Sequence, residues 1–284
     1  MLRLGGPVFE TDLDPVKWVE EHHRWGYSAA YNPPVKDDRD LPVFVKAAEE
    51  ADLCIAEVGV WNNPLSPYDE ERRHAIQVCQ EKLALADRLG AVCCVNISGS
   101  RGLRWDGPHS NNLTEGTYDL IIESVRTIID AVKPKRTCYA LETMPWMYPD
   151  SVESYAYLLA AIDRPAFAVH FDPVNLICSP QRYYGNAKLI HEFISQLGEH
   201  IKSVHAKDIR LQENLTTHLD EVIPGKGELN YRVLLQDLDD LGRDIPVMIE
   251  HLRTPEEYHQ AVDYIRATAL DAGIHFKAIA STLS

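Results

Sequence analysis

Across 284 residues the chain is 45% hydrophobic and 25% charged, the balance of an ordinary globular protein with enough apolar material for a sizeable core. Its formal charge of −15 argues against a nucleic-acid partner, because phosphate recognition ordinarily needs a basic face. No run approaches the ~20 apolar residues that span a bilayer, and the opening MLRLGGPVFE lacks an extended apolar signal region.

The first strand candidate is LRLG at 2–5. A helix follows over DPVKWVEEHHRWG (14–26), with Asp14 as N-cap, Pro15 at the first helical position and Gly26 as the stop. YSAAY (27–31) reads as a strand, 39–51 as a helix and LCIAEVG (53–59) as a strand. The longest helical period runs over 68–90 and ends at Gly90. AVCCVNI (91–97), TCYALET (137–143), FAVHFD (167–172), IKSVHA (201–206) and PVMIE (246–250) complete the strands. Helical patterns over 117–133, 150–162, 186–199, 230–241 and 254–272 separate or follow them. Strict alternation of eight strands with eight helices implies parallel strands joined by crossover helices. With no GxGxxG turn and no linker, the expectation is an α/β fold, a (β/α)8 TIM barrel, as a single domain over 1–284. The six cysteines form no CxxC pair and lie mostly in apolar runs, so a cytoplasmic protein with reduced thiols is expected.

Barrels of this kind build their active sites at the carboxyl ends of the strands. Strand five ends YALETMPW, strand six VHFDPVNL, strand seven SVHAKD and strand eight VMIEHL, which brings Glu142, Asp172, His205 and Glu250 to one rim. Taken singly, each is more readily a polar group closing a strand. Four in succession are harder to explain that way, because converging carboxylates repel unless a cation or shared protons separate them. The set suits one divalent ion, and its three carboxylates tilt the choice among Mn²⁺, Mg²⁺, Co²⁺ and Zn²⁺ toward the harder ions. His170 shares a face with Asp172 one layer deeper. It either orients a ligand or bonds a backbone carbonyl, the second being slightly favoured. Pro173 ends the strand and leaves Asp172 at its tip.

Other residues fall near the same rim. Strand three offers Glu57, Trp61 and Asn62, with Trp61 a candidate wall for a sugar ring. The long loop after strand four carries Arg101, Arg104, Trp105 and His109, the arginines being candidate grips for a phosphate or carboxylate. Lys207 points inward beside His205. Lys226 lies in a Gly-flanked turn whose amides can cradle an anion, ahead of Asn230 as a helix cap. His22, His23, His74 and His191 are expected on the outer surface.

The set Glu142, Asp172, His205 and Glu250, with HAKD on strand seven and PGKGELNY at 224–231, resembles the xylose isomerase-like TIM barrels, and among them the sugar phosphate isomerase/epimerase branch. The resemblance implies one metal ion held by those four residues, commonly Mn²⁺. It also implies Glu142 and Glu250 as the acid/base pair that moves a proton α to the carbonyl of a keto-sugar, through an enediolate. Where the ketose 3-epimerases of that family carry a histidine and an arginine, this chain has Asn175 and, beside Leu211, Arg210; Asn175 can bond a hydroxyl but cannot carry a proton. Trp61, His109, Asn175, Lys207 and Arg210 are the candidate substrate contacts. Related branches perform β-elimination on keto-sugars or inositol derivatives, or cleave DNA at apurinic sites with three zinc ions; a sugar-binding barrel without turnover is the non-enzymatic alternative. A small sugar substrate, no nucleic-acid or membrane partner, and a possible homo-oligomer are expected.

Overall fold

In a computed structural model, which describes residues 1–279, eight parallel strands close into a barrel. They are β1 (Leu2–Gly5), β2 (Ala29–Tyr31), β3 (Cys54–Gly59), β4 (Cys93–Asn96), β5 (Cys138–Glu142), β6 (Phe167–Phe171), β7 (Ile201–Ala206) and β10 (Ile245–Ile249). The neighbour order is β1-β10-β7-β6-β5-β4-β3-β2, and Gly5 opposite Ala29 joins β1 to β2. Between β7 and β10 lies an antiparallel hairpin that the alternation did not predict, β8 (Asp208–Leu211) with β9 (Leu219–Val222).

The helices are α1 (Pro15–Trp25), α2 (Leu41–Ala51), α3 (Asp69–Leu89), α4 (Glu115–Val132), α5 (Val152–Ile162), the short unexpected α6 (Pro180–Tyr184), α7 (Asn186–Leu197), α8 (Tyr231–Asp240) and α9 (Pro255–Asp271). α1 starts and stops where its sequence signals lie. The Asp14 side chain accepts the Lys17 N–H at 3.0 Å, and Gly26 takes a φ of 69°, a conformation that costs a side chain energy. On that helix His22 corrects an expectation: it is buried. It shares the inward face with Trp18 four residues earlier, donates from Nδ1 to the Trp18 carbonyl at 2.7 Å, and packs its ring on the Trp18 indole. Burial lowers its pKa to about 4.

Bulky aliphatic residues fill the layer between strands and helices. Val95, Ala140 and Ala168 stand in register across β4, β5 and β6, with Ala140 and Ala168 two residues before Glu142 and His170. Short side chains therefore form the floor on which the longer polar ones rest. At the opposite end of the barrel the nearly buried Arg3 guanidinium meets Asp52 and Asp244, each at 2.8 Å, while Lys277 reaches Asp52 at 2.7 Å. All six cysteines are unpaired. Among the described residues no helix is long and apolar enough to cross a membrane.

Candidate metal centre

Asp172 owes its position to the strand end. Its Oδ1 accepts the N–H groups of Val174 at 2.9 Å and Asn175 at 3.2 Å, while Thr143 bonds both its carbonyl and its N–H, tying the tips of β5 and β6 together. With Oδ1 held by the turn, Oδ2 faces the barrel axis. Glu142, Asp172, His205 and Glu250 each bring one donor atom there, all within 4.8 Å of one another. His205 Nδ1 lies 3.0 Å from Glu142 Oε1, 2.9 Å from Glu250 Oε1 and 3.8 Å from Asp172 Oδ2. The four residues expected at the rim thus converge on one point.

Lys207 joins them. Its ammonium sits 2.7 Å from Asp172 Oδ2, 2.7 Å from Glu250 Oε1 and 3.8 Å from Glu142 Oε1. Asp172 Oδ2 and Glu250 Oε1 are buried without a well-directed hydrogen bond. They touch the ammonium as charges rather than as aligned acceptors.

Beneath this ring lies a second layer centred on Glu57. Its Oε1 accepts from Ser203 Oγ and lies 2.9 Å from His170 Nε2, and its Oε2 lies 3.3 Å from His205 Nε2. His170 therefore bonds a carboxylate and not the backbone carbonyl slightly favoured from sequence. Glu57 takes up the His205 Nε2–H, which turns the Nδ1 position toward Glu142 and Glu250. Glu57, His170 and His205 also group closely enough to hold an ion, but the Glu57 oxygens are already used by these three donors.

The donor set fits a divalent cation. Three largely buried carboxylates, Glu142, Asp172 and Glu250, face one lysine, and His205, held from behind by Glu57, aims a nitrogen into them. Such a place calls for more positive charge, supplied by a proton on His205 or by a metal ion. The titration directions express the same need. Burial pushes the Asp172 carboxyl up to about 7. Burial opposes ionisation of Glu142 and Glu250 as well, yet His205 and Lys207 hold both below the usual carboxylate range. Against its own burial, His205 is raised well above an ordinary imidazole by Glu250, Glu57 and Glu142.

Residues 17–268 match the family described as xylose isomerase-like TIM barrel. The chain belongs to that family. No curated protein is matched. Among solved structures, the family barrel superposes on endonuclease IV from Thermus thermophilus with a TM-score of 0.70 at 16% identity, over 95% of this chain and 99% of that one. D-psicose 3-epimerase from Clostridium cellulolyticum, solved with D-tagatose, gives 0.69 at 13%, over 96% and 99%. The probable 3-DHS dehydratase AsbF from Bacillus anthracis gives 0.68 at 14%, over 93% and 98%. One barrel thus carries three chemistries, and function has to be argued from side chains.

Around this family's barrel mouth, the remaining candidates divide. Trp61 is partly exposed, its ring 6.4 Å from that of His205. Asn175 uses its amide nitrogen on Glu142 Oε1 at 3.1 Å, so it holds a member of the cluster. His109 caps a short turn by accepting the Asn111 N–H and stays outside the cluster. Arg210 lies on the hairpin and donates to the Lys226 carbonyl. Arg101 donates to the Leu65 carbonyl at 2.6 Å and Arg104 pairs with Asp106 at 2.6 Å, so neither stands free as an anion grip. The amides of the Lys226 turn are likewise engaged, with Asp208. His23, His74 and His191 are exposed as expected.

Sequence reasoning missed the hairpin's contribution. Glu221 on β9 reaches His251 Nδ1 at 3.2 Å, and His251 Nε2 lies 3.6 Å from Glu250 Oε1. His251 holds a φ of 61°, a left-handed backbone that a non-glycine residue adopts at a cost. A left-handed histidine directly after the strand-end glutamate extends the polar ring toward solvent. Ser203 was legible in principle, since it shares the inward period with His205 and Lys207.

Proposed function

We propose that the chain is a divalent-metal-dependent sugar isomerase or epimerase that removes a proton α to the carbonyl of a keto-sugar. The observation that carries this reading is the ring of donor atoms from Glu142, Asp172, His205 and Glu250, all within 4.8 Å, in which two members are glutamates able to exchange protons. Mn²⁺ is the favoured ion, with Mg²⁺, Co²⁺ and Zn²⁺ as alternatives. When bound, the ion polarises the ketone and the neighbouring hydroxyl and so acidifies the α-hydrogen.

The chain's own groups do the rest. Glu250 is the most exposed of the four, with 13% of its side chain open against 6% for Glu142, and it removes the proton. Glu142, braced by Asn175 and His205, relays a proton from solvent to the other face. Asp172 and His205 keep their positions throughout, and Lys207 offsets carboxylate charge. Trp61 packs against the C–H face of the sugar.

A second reading, β-elimination by a lyase or dehydratase, draws on Asn175. That side chain is spent on Glu142 and cannot return a proton. An unsaturated product in the NMR spectrum would select it. The test of the leading reading is solvent exchange. Incubated with keto-sugars in deuterium oxide, the Mn²⁺-loaded protein exchanges the α-hydrogen, loses the activity on chelation and recovers it on reloading. No exchange with any sugar under any of the four ions overturns it.

The same reading gives Glu57 a measurable role. Glu57→Gln replaces the acceptor for His205 Nε2–H with an amide that can present a donor instead. Divalent affinity is expected to fall about 10–100-fold, read by competition with a fluorescent chelator. Unchanged affinity would show that Glu57 does not orient His205.

A further inference from the structure

We infer that the substrate is an uncharged polyol ketone, a free keto-sugar or inositol-type ketone, and neither a sugar phosphate nor a sugar acid. The inference rests on the function proposed above and narrows its substrate class. In (β/α)8 barrels a phosphate group is commonly held by backbone amides in the loops after the seventh and eighth strands. Here the turn that follows the seventh barrel strand and its hairpin, Pro224 to Leu229, is already wrapped round an anion that belongs to the chain. The fully buried Asp208 carboxylate accepts N–H groups from Gly225, Gly227 and Leu229, each at 2.9 Å, and from Ile209 at 2.8 Å. A Cβ on Gly227 would collide with that carboxylate, so the loop fits its internal anion closely. A phosphate has no amides left to bind there.

The cations at this end of the barrel are engaged as well. Arg101 is bonded to the Leu65 carbonyl, Arg104 to Asp106, Arg182 to the Leu176 carbonyl at 2.9 Å, and Arg210 to the Lys226 carbonyl. Lys207 is held between Asp172 and Glu250. Lys226 and Arg253 are exposed, where an ion contact contributes little. Besides these and His251, which Glu221 occupies at 3.2 Å, the mouth presents acidic and aromatic groups. Glu250 is the most open member of the cluster and Glu221 stands beside it, and partly exposed tryptophans (Trp61, Trp105 and Trp146) lie on the loops that follow β3, β4 and β5. Carboxylates repel an anionic ligand, whereas indole faces and carboxylate acceptors suit the C–H faces and hydroxyls of a neutral sugar.

The test is calorimetric titration of the full Mn²⁺-loaded chain with matched probes: a ketohexose, its 1-phosphate, its 6-phosphate and the corresponding keto-uronate. The neutral sugar is expected to bind at least tenfold more tightly than each charged derivative. A phosphate or acid that binds more tightly than its parent overturns the inference, and so does a set in which nothing binds. Binding of the neutral sugar without deuterium exchange would count against the proposed proton chemistry alone and would uphold the uncharged class.

Discussion

Glu250→Gln lowers exchange of the substrate α-hydrogen with solvent deuterium by about 10²–10⁴-fold, the usual worth of a positioned general base. Glutamine keeps the shape of the side chain but cannot accept the proton. Because Glu250 Oε1 is also 2.9 Å from His205 Nδ1 and 2.7 Å from Lys207 Nζ, the change disturbs the cation site too. The measurement is therefore made at saturating Mn²⁺, with occupancy checked by mass spectrometry. Glu142→Gln is the informative partner. If Glu250 serves one face of the substrate and Glu142 the other, this variant retains exchange while losing net epimerisation. Retained exchange in Glu250→Gln at full occupancy would remove that residue from the base role.

The second large effect belongs to Lys207→Met. The lysine side chain is buried, and burial alone would depress its pKa, but Asp172, Glu250 and Glu142 hold it well above an ordinary lysine. Methionine fills similar volume and leaves those carboxylates facing one another. Removing one partner of a buried ion cluster costs about 3–5 kcal/mol, which for a chain of this size means a melting temperature lower by roughly 6–15 °C. The loss is expected in chelator-treated protein and is largely restored by a divalent ion, which replaces the missing charge. The rise in melting temperature on adding Mn²⁺ should therefore be larger in the variant than in the parent. Equal rises would show that Lys207 and the ion do not share a role.

Much of this arrangement was legible from local pattern. The period-two and period-3.6 segments found the eight barrel strands, and the last polar residue of strands five to eight found Glu142, Asp172, His205 and Glu250. Asp14, Gly26, Gly90 and Asn230 marked helix ends because capping is a property of a few consecutive residues. What escaped depends on contacts across the barrel. Glu57 was placed near the rim of strand three, but its partners His170 and His205 lie 113 and 148 residues further along the chain, and nothing in CIAEVG names them. The hairpin was hidden because Asp208–Leu211 and Leu219–Val222 are short and only partly apolar, held together by pairing rather than by a strong alternation of their own. His22 was misplaced because a histidine on a helix reads as polar until the face it shares with Trp18 is seen to be buried. Lys226 advertised an anion cradle correctly in kind, while its occupant, Asp208, could be recognised only in three dimensions.

The pairing of β1 with β10 sets a schedule for biosynthesis. Leu2 lies opposite Ile245, so the barrel cannot close until more than two hundred further residues have left the ribosome. At about 5–20 residues per second this takes roughly 10–50 s, during which β1 and β7 each expose an unpaired edge open to wrong partners. Glu250 follows β10, so the fourth acidic or imidazole arm of the ring arrives only at that closing step. The nascent chain thus lacks its complete donor ring until the barrel wall is sealed, so an ion held by all four arms would enter a closed barrel.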